Sequence, residues 1–308
     1  MGSNTNLHYY HVTMGSRGSK VPKHSPAVFQ QGSHGATHGS HRFIADKFST
    51  FPELEQALRV AGLESCDLIM GIDLTRSNER QGYQYDNYGN VVKQFYANPN
   101  LHSISPYPNP YQHAMSIICR TLHSFDVDQL IPAYGFGDTR TGDHSVFSFL
   151  SNANGSEAAC VKLEGVLNAY SAIIADIANG RIQMSGPTSF APIIRKAIEL
   201  VTVSRKYHIL IIIADGVIDT KKNKEETIQA IVDASKHPLS IVCVGVGAGP
   251  FDLLEQFDDC VPERDFDNFQ FVNFHQTMAT CENQELGFAT KAMMEIPEQW
   301  NYIKTHIL

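Results

Sequence analysis

Apolar residues between positions 42 and 308 follow two alternating patterns. Short, nearly continuous apolar runs such as ILIIIA and SIVCVGV predict strands that are buried on both faces of a sheet. Longer segments with apolar residues three or four positions apart predict amphipathic helices. The predicted strands are 67–75, 129–137, 146–150, 207–216, 239–247 and 269–274. The predicted helices are 51–63, 109–125, 160–178, 189–204, 224–237, 251–257 and 284–307, the last with a break at Pro297.

The order of these elements predicts an α/β fold. Because strands and helices alternate, the central sheet should be mostly parallel and doubly wound, with helices flanking both faces in a Rossmann-like arrangement. No internal repeat or further boundary interrupts the pattern, so residues 42–308 are predicted to form one domain. Its first residues, 42–48 (RFIADKF), are typical of an edge strand or of an extended lead-in.

Residues 1–41 have a different composition. They are rich in Gly, Ser and His and nearly free of aliphatic side chains, so they cannot bury enough apolar surface to offset the entropy of ordering. We therefore predict a disordered tail. Its histidines, His34, His38 and His41, could form a metal-binding tract, but nothing nearby would fix the ligand geometry. A flexible polar tail is the preferred interpretation.

The charge distribution bears on the kind of partner. The net charge is −8, and the tail contributes +3 through Arg17, Lys20 and Lys23, so the remainder carries −11. An acidic body argues against nucleic-acid binding, because the phosphate backbone would repel it.

Cysteine usage and hydropathy bear on the compartment. No two cysteines form a CxxC pair and several lie in apolar runs, so free, mostly buried thiols in a reducing compartment are expected. The six are Cys66, Cys119, Cys160, Cys243, Cys260 and Cys281. No apolar run approaches the roughly 18–20 residues that span a bilayer, and no signal peptide is visible. A cytoplasmic location is expected, with the nucleus as an alternative.

Oxygen-bearing side chains follow the ends of two predicted strands. Asp73, Thr75 and Ser77 alternate in the segment GIDLTRSN, and Asp215 follows the run ILIIIA. In parallel α/β sheets ligands bind outside the carboxyl ends of the strands, so these oxygens should lie at one edge. Thr188, in a loop before a predicted helix, could add a third hydroxyl. Hard oxygen donors with water select Mg²⁺, with Mn²⁺ or Ca²⁺ as alternatives, rather than zinc.

These residues resemble a known family pattern. D-x-T-x-S at 73–77, with Thr188 and Asp215, is similar to the metal-ion-dependent adhesion site of von Willebrand factor A domains. The segments NPYQHAM, LIPAYGFGD, LEGVLNAY, SGPTSFAPII, IIADGVI, PLSIVCVGVG and MMEIPEQ resemble the copine-type version of that domain. FDDCVPERDFDNFQFVNF resembles the copine domain of plant RING-type ubiquitin ligases. The resemblance covers residues 43–300.

The resemblance implies a function for the five residues. Asp73, Thr75, Ser77, Thr188 and Asp215 would hold the metal, and one position would stay open for an Asp or Glu of a partner protein. Each residue alone also fits a structural role, since Thr188 could cap a helix and Asp215 could belong to a turn. No GxSxG elbow or Ser/His/Asp set is visible, which favours a binding module over an enzyme.

Two features of the related proteins are not found in this sequence. Copines carry two C2 domains, and the plant ligases carry a RING, but neither C2 domains nor RING zinc ligands are visible here. The second hypothesis is therefore a component of a ubiquitin-ligase system whose RING is absent or lies in another chain. A third is a scaffold whose metal site is vestigial.

Three further segments carry weaker signals. Residues 79–108 form a tyrosine-rich insertion that is either a partner-contacting loop on the ligand face or a mobile loop. GVGAGPF at 245–251 lacks the third glycine of a dinucleotide fingerprint, so a tight turn is preferred and no nucleotide is expected. MGSRGSK at 14–20 would place Gly15 for myristoylation if translation began at Met14. One acyl chain with neighbouring basic residues would give weak association with the inner face of the plasma membrane.

Overall fold

A computed structural model describes residues 48–216, 218, 220–261 and 263–308, apart from the Cys260 side chain. The predicted tail, including its histidine tract and Gly15, lies outside the described residues. Most of the predicted lead-in at 42–48 also lies outside them. The interpretations of these segments therefore stay predictions.

The centre of the fold is a six-stranded sheet in the order β12-β11-β10-β1-β5-β6. Strand pairing is parallel throughout, except that β6 runs antiparallel to β5. The predicted mostly parallel sheet is thus confirmed. The strands are β1 (Asp67–Asp73), β2 (Tyr83–Tyr85), β3 (Val91–Gln94), β4 (Leu130–Ile131), β5 (Ala133–Phe136), β6 (Phe147–Ser148), β7 (Leu150–Ser151), β8 (Glu157–Ala158), β9 (Cys160–Val161), β10 (His208–Ala214), β11 (Leu239–Gly245) and β12 (Phe269–Asn273).

Helices cover both faces of this sheet. They are α1 (Phe51–Ala61), α2 (Pro110–Leu122), α3 (Lys162–Ala178), α4 (Ala191–Ser204), α5 (Lys221–Ala234), α6 (Asp252–Cys260), α7 (Phe274–Thr280), α8 (Gln284–Met293) and α9 (Ile296–His306). Helices α4, α5 and α6 pack on one face, and the others contribute to a second apolar cluster on the opposite face. The predicted doubly wound arrangement is therefore confirmed.

The apolar strands divide their side chains between the two faces. In β10, Ile209, Ile211 and Ile213 belong to one cluster, while Leu210 and Ile212 belong to the other. Side chains of a strand alternate across the sheet, so a strand buried on both sides must be apolar at every position. This explains why β10 reads HILIIIA rather than showing an alternating polar pattern.

Several predicted boundaries need correction. The last predicted helix is two helices, and α9 begins at Ile296, which puts Pro297 in its first turn, where the missing N–H is tolerated. Helix α5 begins three residues before the predicted Lys224, because the Thr220 side chain caps it by accepting from the Asn223 N–H. Helix α7 was not predicted; the Asn273 side chain starts it by the same kind of cap.

The insertion 79–108 contains an antiparallel hairpin. Strands β2 and β3 pair there, with Gln84 opposite Lys93. Tyr88 at the tip is 90% exposed and Tyr107 is 80% exposed, whereas Leu101 is buried in the core. The insertion therefore has one part in solvent and one part packed into the domain.

The cysteines in the described part of the chain are mostly buried, as the sequence predicts. Cys66, Cys119, Cys160 and Cys243 are buried free thiols, and Cys281 is a half-buried one. Burial raises the pKa of Cys119 to about 12 and that of Cys160 to about 11, so these thiols stay protonated. Among the described residues, every helix is too short or too polar to cross a bilayer.

Gly71 allows α4 to lie close to β1. A Cβ added at Gly71 would meet Ile193 Cγ1 of α4 at 2.6 Å, so Gly71→Ala should push the helix away or strain its side chain. We expect a loss of about 1–3 kcal/mol in the free energy of unfolding, measured by urea denaturation. Gly165→Ala in α3 is the matched control, because the nearest atom to its added Cβ, the carbonyl carbon of Cys160, would be 3.4 Å away. A helical alanine there should be neutral or gain up to about 1 kcal/mol. Equal effects of both changes would contradict this explanation.

Candidate metal centre

The pairing of β1 with β10 brings two carboxylates to one edge of the sheet. Ile72 pairs with Ile213, so Asp73 lies at the last position of β1 and Asp215 immediately follows β10. Both side chains are fully buried, with 0% exposure. Two acidic groups removed from water in this way carry a desolvation cost that a cation can offset.

The segment after Asp73 folds back to present its hydroxyls. Asp73 Oδ1 accepts a hydrogen bond of 2.8 Å from the Thr75 backbone N–H, which turns the chain out of the strand. A short 3₁₀ turn over Arg76–Glu79 follows. Thr75 Oγ1 and Ser77 Oγ then lie 3.0 Å apart. Thr75 is buried and Ser77 is half-buried, so the hydroxyl pair reaches from the interior towards solvent.

The loop before α4 runs beside this segment. Ser185 forms a parallel bridge with Thr75, and its carbonyl accepts from the Arg76 N–H at 2.7 Å. Further along, the Thr188 carbonyl accepts a 3.1 Å hydrogen bond from Nδ2 of Asn223, a residue of the helix that follows β10. Thr188 itself is 1% exposed. The loop is thus attached on one side to the end of β1 and on the other side to α5.

The buried side chain of Tyr111 is affected by the charges of both carboxylates. The pKa of Tyr111 is raised well above its usual value, first by burial and then by the charges of Asp73 and Asp215. Its hydroxyl donates to Asn78 Oδ1 at 2.6 Å, and Asn78 Nδ2 donates to the Thr75 carbonyl at 3.1 Å. Tyr111 is thus connected through Asn78 to the backbone of the turn that carries the two hydroxyls.

Behind the site is a second set of buried hydrogen bonds. His102 Nε2 lies 2.9 Å from the Asp73 backbone oxygen, which can only accept, so Nε2 carries the proton. His102 Nδ1 then accepts from the Tyr170 hydroxyl at 2.7 Å, and Asn109 Nδ2 donates to that hydroxyl at 3.0 Å. This arrangement uses a neutral imidazole, and burial accordingly lowers the pKa of His102 to about 4.

Sequence reasoning did not identify these supporting residues. Asn78 and His102 lie in or beside the insertion, where no periodic pattern marks a buried position. Tyr111 lies in a segment whose resemblance to the copine-type domain was noted, but that resemblance gave no role to the tyrosine. The only local signal was the NPY sequence at 109–111, whose asparagine caps α2 through a capping box with Gln112.

The donor set fits a hard divalent cation. Asp73, Thr75, Ser77, Thr188 and Asp215 all supply oxygen, as Mg²⁺, Mn²⁺ and Ca²⁺ require. The structure positions Asp73, Thr75 and Ser77 at the end of β1 and in the turn that follows, with Asp215 directly after the neighbouring strand β10. Thr188 lies in the loop fixed beside them. When bound, the ion would supply a positive charge that attracts an acidic group. The role of each of the five residues as a metal ligand stays a prediction.

A second group of carboxylates lies at the opposite, amino end of β1. Asp67, Asp126 and Asp128 offer oxygens within 4.8 Å of one another and could hold a divalent metal. Lys206 Nζ already lies 3.0 Å from Asp67 Oδ2 and 3.4 Å from Asp128 Oδ2. Burial raises the pKa of Asp126 to about 6. The sequence reasoning missed this group; the DVD spacing at 126–128 was its only local signal.

Neutral His102 makes stability pH-dependent. An unfolded imidazole with its usual pKa of 6.5 takes up a proton below that pH, whereas the folded one does so only near pH 4. The unfolded state then binds more protons, so this contribution to stability is lost as the pH falls from 6.5 to 4. The loss amounts to about 3 kcal/mol.

The measurement is the difference in unfolding free energy between wild type and His102→Gln across this pH range. Carboxyls with a raised pKa, such as Asp258 at about 7, change the stability with pH in the opposite direction. Their effect is the same in both proteins, so it cancels in the difference. If the difference did not change with pH, His102 would have the same pKa in the folded and the unfolded protein, and the prediction would be wrong.

Comparison with known proteins identifies relatives of two kinds. The E3 ubiquitin-protein ligase RGLG2 of Arabidopsis thaliana is 46% identical over 270 residues, which are 83% of this chain and 54% of that protein. Copine family protein 2 of Caenorhabditis elegans is 43% identical over 258 residues, covering 83% of this chain and 3% of that protein. The chain spans about half the length of the first plant relatives.

Solved structures show a weaker likeness. The manganese-loaded Plasmodium vivax TRAP protein has 12% identity and a TM-score of 0.41, over 70% of this chain and 71% of that one. The SpRpn10 VWA domain has 11% identity and a TM-score of 0.40, over 68% of this chain and 87% of that one.

The family model described as Copine matches residues 100–308, which is more than half of the chain. The relatives at 43% and 46% identity each cover more than two thirds of it. The sequence resemblance to copines is thereby confirmed, and the chain belongs to the copine family.

Proposed function

We propose that this domain is a protein-binding module that depends on a divalent metal. The observation that carries the proposal is the cluster at the carboxyl edge of the sheet. There, Asp73 and Asp215 are buried at the ends of two paired strands, and the hydroxyls of Thr75 and Ser77 lie 3.0 Å apart on the turn after Asp73. Membership of the copine family supports an interaction module.

The balance of charged and neutral donors supports an acidic ligand. Three of the five proposed ligands are hydroxyls, which donate electron density without cancelling the charge of the ion. The bound metal would therefore keep positive charge and attract a further carboxylate. An Asp or Glu of a partner protein is the group that we propose completes the coordination, with Mg²⁺ as the ion and Mn²⁺ or Ca²⁺ as alternatives.

Where the protein acts is a proposal as well. Buried free thiols in the described part of the chain support a reducing compartment, so we place the protein in the cytoplasm or nucleus. If Gly15 is acylated, a fraction would associate with the inner face of the plasma membrane.

Asp73→Ala should remove metal binding, because it deletes a charged ligand and the acceptor that holds Thr75. We expect Mg²⁺ affinity to fall by at least about 10-fold, the smallest loss typical of removing even a supporting residue of a metal site. Titration calorimetry measures the affinity, and circular dichroism checks that the fold is kept.

Asp128→Ala is the matched control for this experiment. It removes a carboxylate from the group at the opposite edge, so it should leave the Mg²⁺ affinity unchanged. If Asp128→Ala lost the metal while Asp73→Ala kept it, the ion would belong to the amino edge and the proposal would be wrong.

A second candidate function rests on the plant relatives. Several are named E3 ubiquitin-protein ligases, at 44–47% identity to this chain. We propose as the alternative that the domain supplies partner binding to a ubiquitin-ligase system whose RING is absent or lies in another chain. In the described part of the chain, the one group of three or more His, Cys, Asp or Glu side chains close enough to share a metal ion is Asp67, Asp126 and Asp128. It contains no cysteine or histidine of the kind that a RING zinc site uses.

This alternative predicts no ubiquitin transfer by the 308-residue chain alone. The purified chain is incubated with ubiquitin, the activating enzyme, a conjugating enzyme and ATP, and conjugates are measured by immunoblot. We expect none above the level without the chain. A ladder of conjugates that depends on this chain would instead show that it is itself a ligase.

A further inference from the structure

A groove leads from the candidate metal centre along the insertion. It has a volume of about 570 Å³ and lies between the β2–β3 hairpin and the turn at 248–250 that follows β11. Ser77, one of the proposed metal ligands, also lines this groove. A partner segment that reached the metal could therefore continue into the groove without leaving the surface.

The floor of the groove is held in place by hydrogen bonds. Gln81 donates through Nε2 to the Gly249 carbonyl at 3.1 Å, and its own carbonyl accepts from the Ala248 N–H at 2.9 Å. The neighbouring residue, Gly82, donates to the Pro99 carbonyl at 2.7 Å. A Cβ at Gly82 would lie 2.0 Å from the Asn98 carbonyl oxygen, so only glycine allows this close approach. The groove is thus largely preformed, which lowers the entropic cost of binding.

Two exposed arginines dominate the charge of the groove. The Arg80 guanidinium lies over the Tyr85 ring at 4.3 Å, and Arg76 donates to the Met184 carbonyl at 3.4 Å. Neither forms an ion pair with a carboxylate in the part of the chain that the structure describes. Glu79 is the one acidic residue in the lining. The groove therefore carries net positive charge, although the chain as a whole carries −8.

We propose that this groove binds a second acidic side chain of the same partner segment. This inference rests on the proposed function, in which the first acidic group binds the metal. Arg80 offers a planar set of donors that matches a carboxylate, and its stacking on Tyr85 limits the rotamers that it must give up on binding. Arg76 adds charge next to Ser77. The preferred partner is thus an extended segment with several acidic residues, rather than one with an isolated Asp or Glu.

The test compares two labelled decapeptides in a Gly/Ser background, one with a single Asp and one with four consecutive Asp residues. Binding is measured by fluorescence anisotropy with Mg²⁺ and with EDTA. For the wild type we expect the four-Asp peptide to bind more tightly with Mg²⁺ present. Arg80→Gln should weaken the four-Asp peptide roughly 3- to 10-fold and leave the single-Asp peptide unchanged. Arg76→Gln should act in the same direction.

Arg59→Gln is the matched control. Arg59 also lies over an aromatic ring, that of Phe125, at 4.4 Å, but it belongs to α1 and donates to the Ser124 carbonyl, near the amino end of β1. It should leave both affinities unchanged. If Arg80→Gln weakened both peptides equally, or Arg59→Gln weakened the four-Asp peptide as much, the groove proposal would be wrong.

The two proposals fail in different ways. Asp73→Ala should abolish the gain in affinity that Mg²⁺ gives to both peptides. The Arg80-dependent affinity of the four-Asp peptide, measured in EDTA, should remain. Metal-dependent binding of the single-Asp peptide without any preference for four Asp residues would overturn the groove proposal alone. Preference for four Asp residues that depends on Arg80 but not on Mg²⁺ would support the groove and contradict the metal-dependent function.

Discussion

The parallel pairing of β1 with β10 is the constraint on which the candidate site depends. Six residue pairs, from Asp67–His208 to Ile72–Ile213, set this register. Both strands are apolar on both faces, so a slip by one residue would exchange the side chains between two different helix layers. The register therefore also sets the relative position of Asp73 and Asp215. Two acidic groups reach the same edge because the packing of the apolar residues before them allows one alignment.

The buried polar residues behind that edge connect the site to the insertion. His102 bonds to the backbone of Asp73, and Asn78 bonds to the backbone of Thr75 and to Tyr111. Buried polar groups are costly unless they are satisfied, so these bonds hold the chain in one conformation around the site. The insertion thus has two roles. Its buried part fixes the proposed ligands, and its exposed hairpin forms one wall of the groove.

The two ends of β1 carry carboxylates in different surroundings. At the amino end, Lys206 lies against Asp67 and Asp128, so part of the negative charge is already balanced by an ammonium group. At the carboxyl end, Asp73 accepts from the Thr75 backbone N–H, and the hydroxyls of Thr75 and Ser77 lie 3.0 Å apart on the same turn. Hydroxyls can coordinate a cation but cannot neutralise a carboxylate. The hydroxyls at the carboxyl end are therefore the donors that support our proposal of a metal there that still attracts an acidic partner.

Local sequence determined the elements whose pattern repeats along the chain. The apolar runs of β1, β10 and β11 were readable directly, because side-chain periodicity involves residues close in sequence. Strand ends also indicated where Asp73, Thr75, Ser77 and Asp215 would lie, since the carboxyl ends of parallel strands share an edge. Their roles as metal ligands came from the family resemblance and from donor chemistry, and they stay predictions.

Only the tertiary structure decided the contacts between residues distant in sequence. His102 and Tyr170 are separated by 68 positions, and Arg76 and Met184 by 108. No local sequence pattern predicts such pairs, because each depends on how separate helices and loops pack together. The same holds for the carboxylate group at Asp67, Asp126 and Asp128, and for the groove, where Gln81 donates to the Gly249 carbonyl. The sequence by itself determined the sheet and the edge where the site lies, and packing decided what surrounds that site.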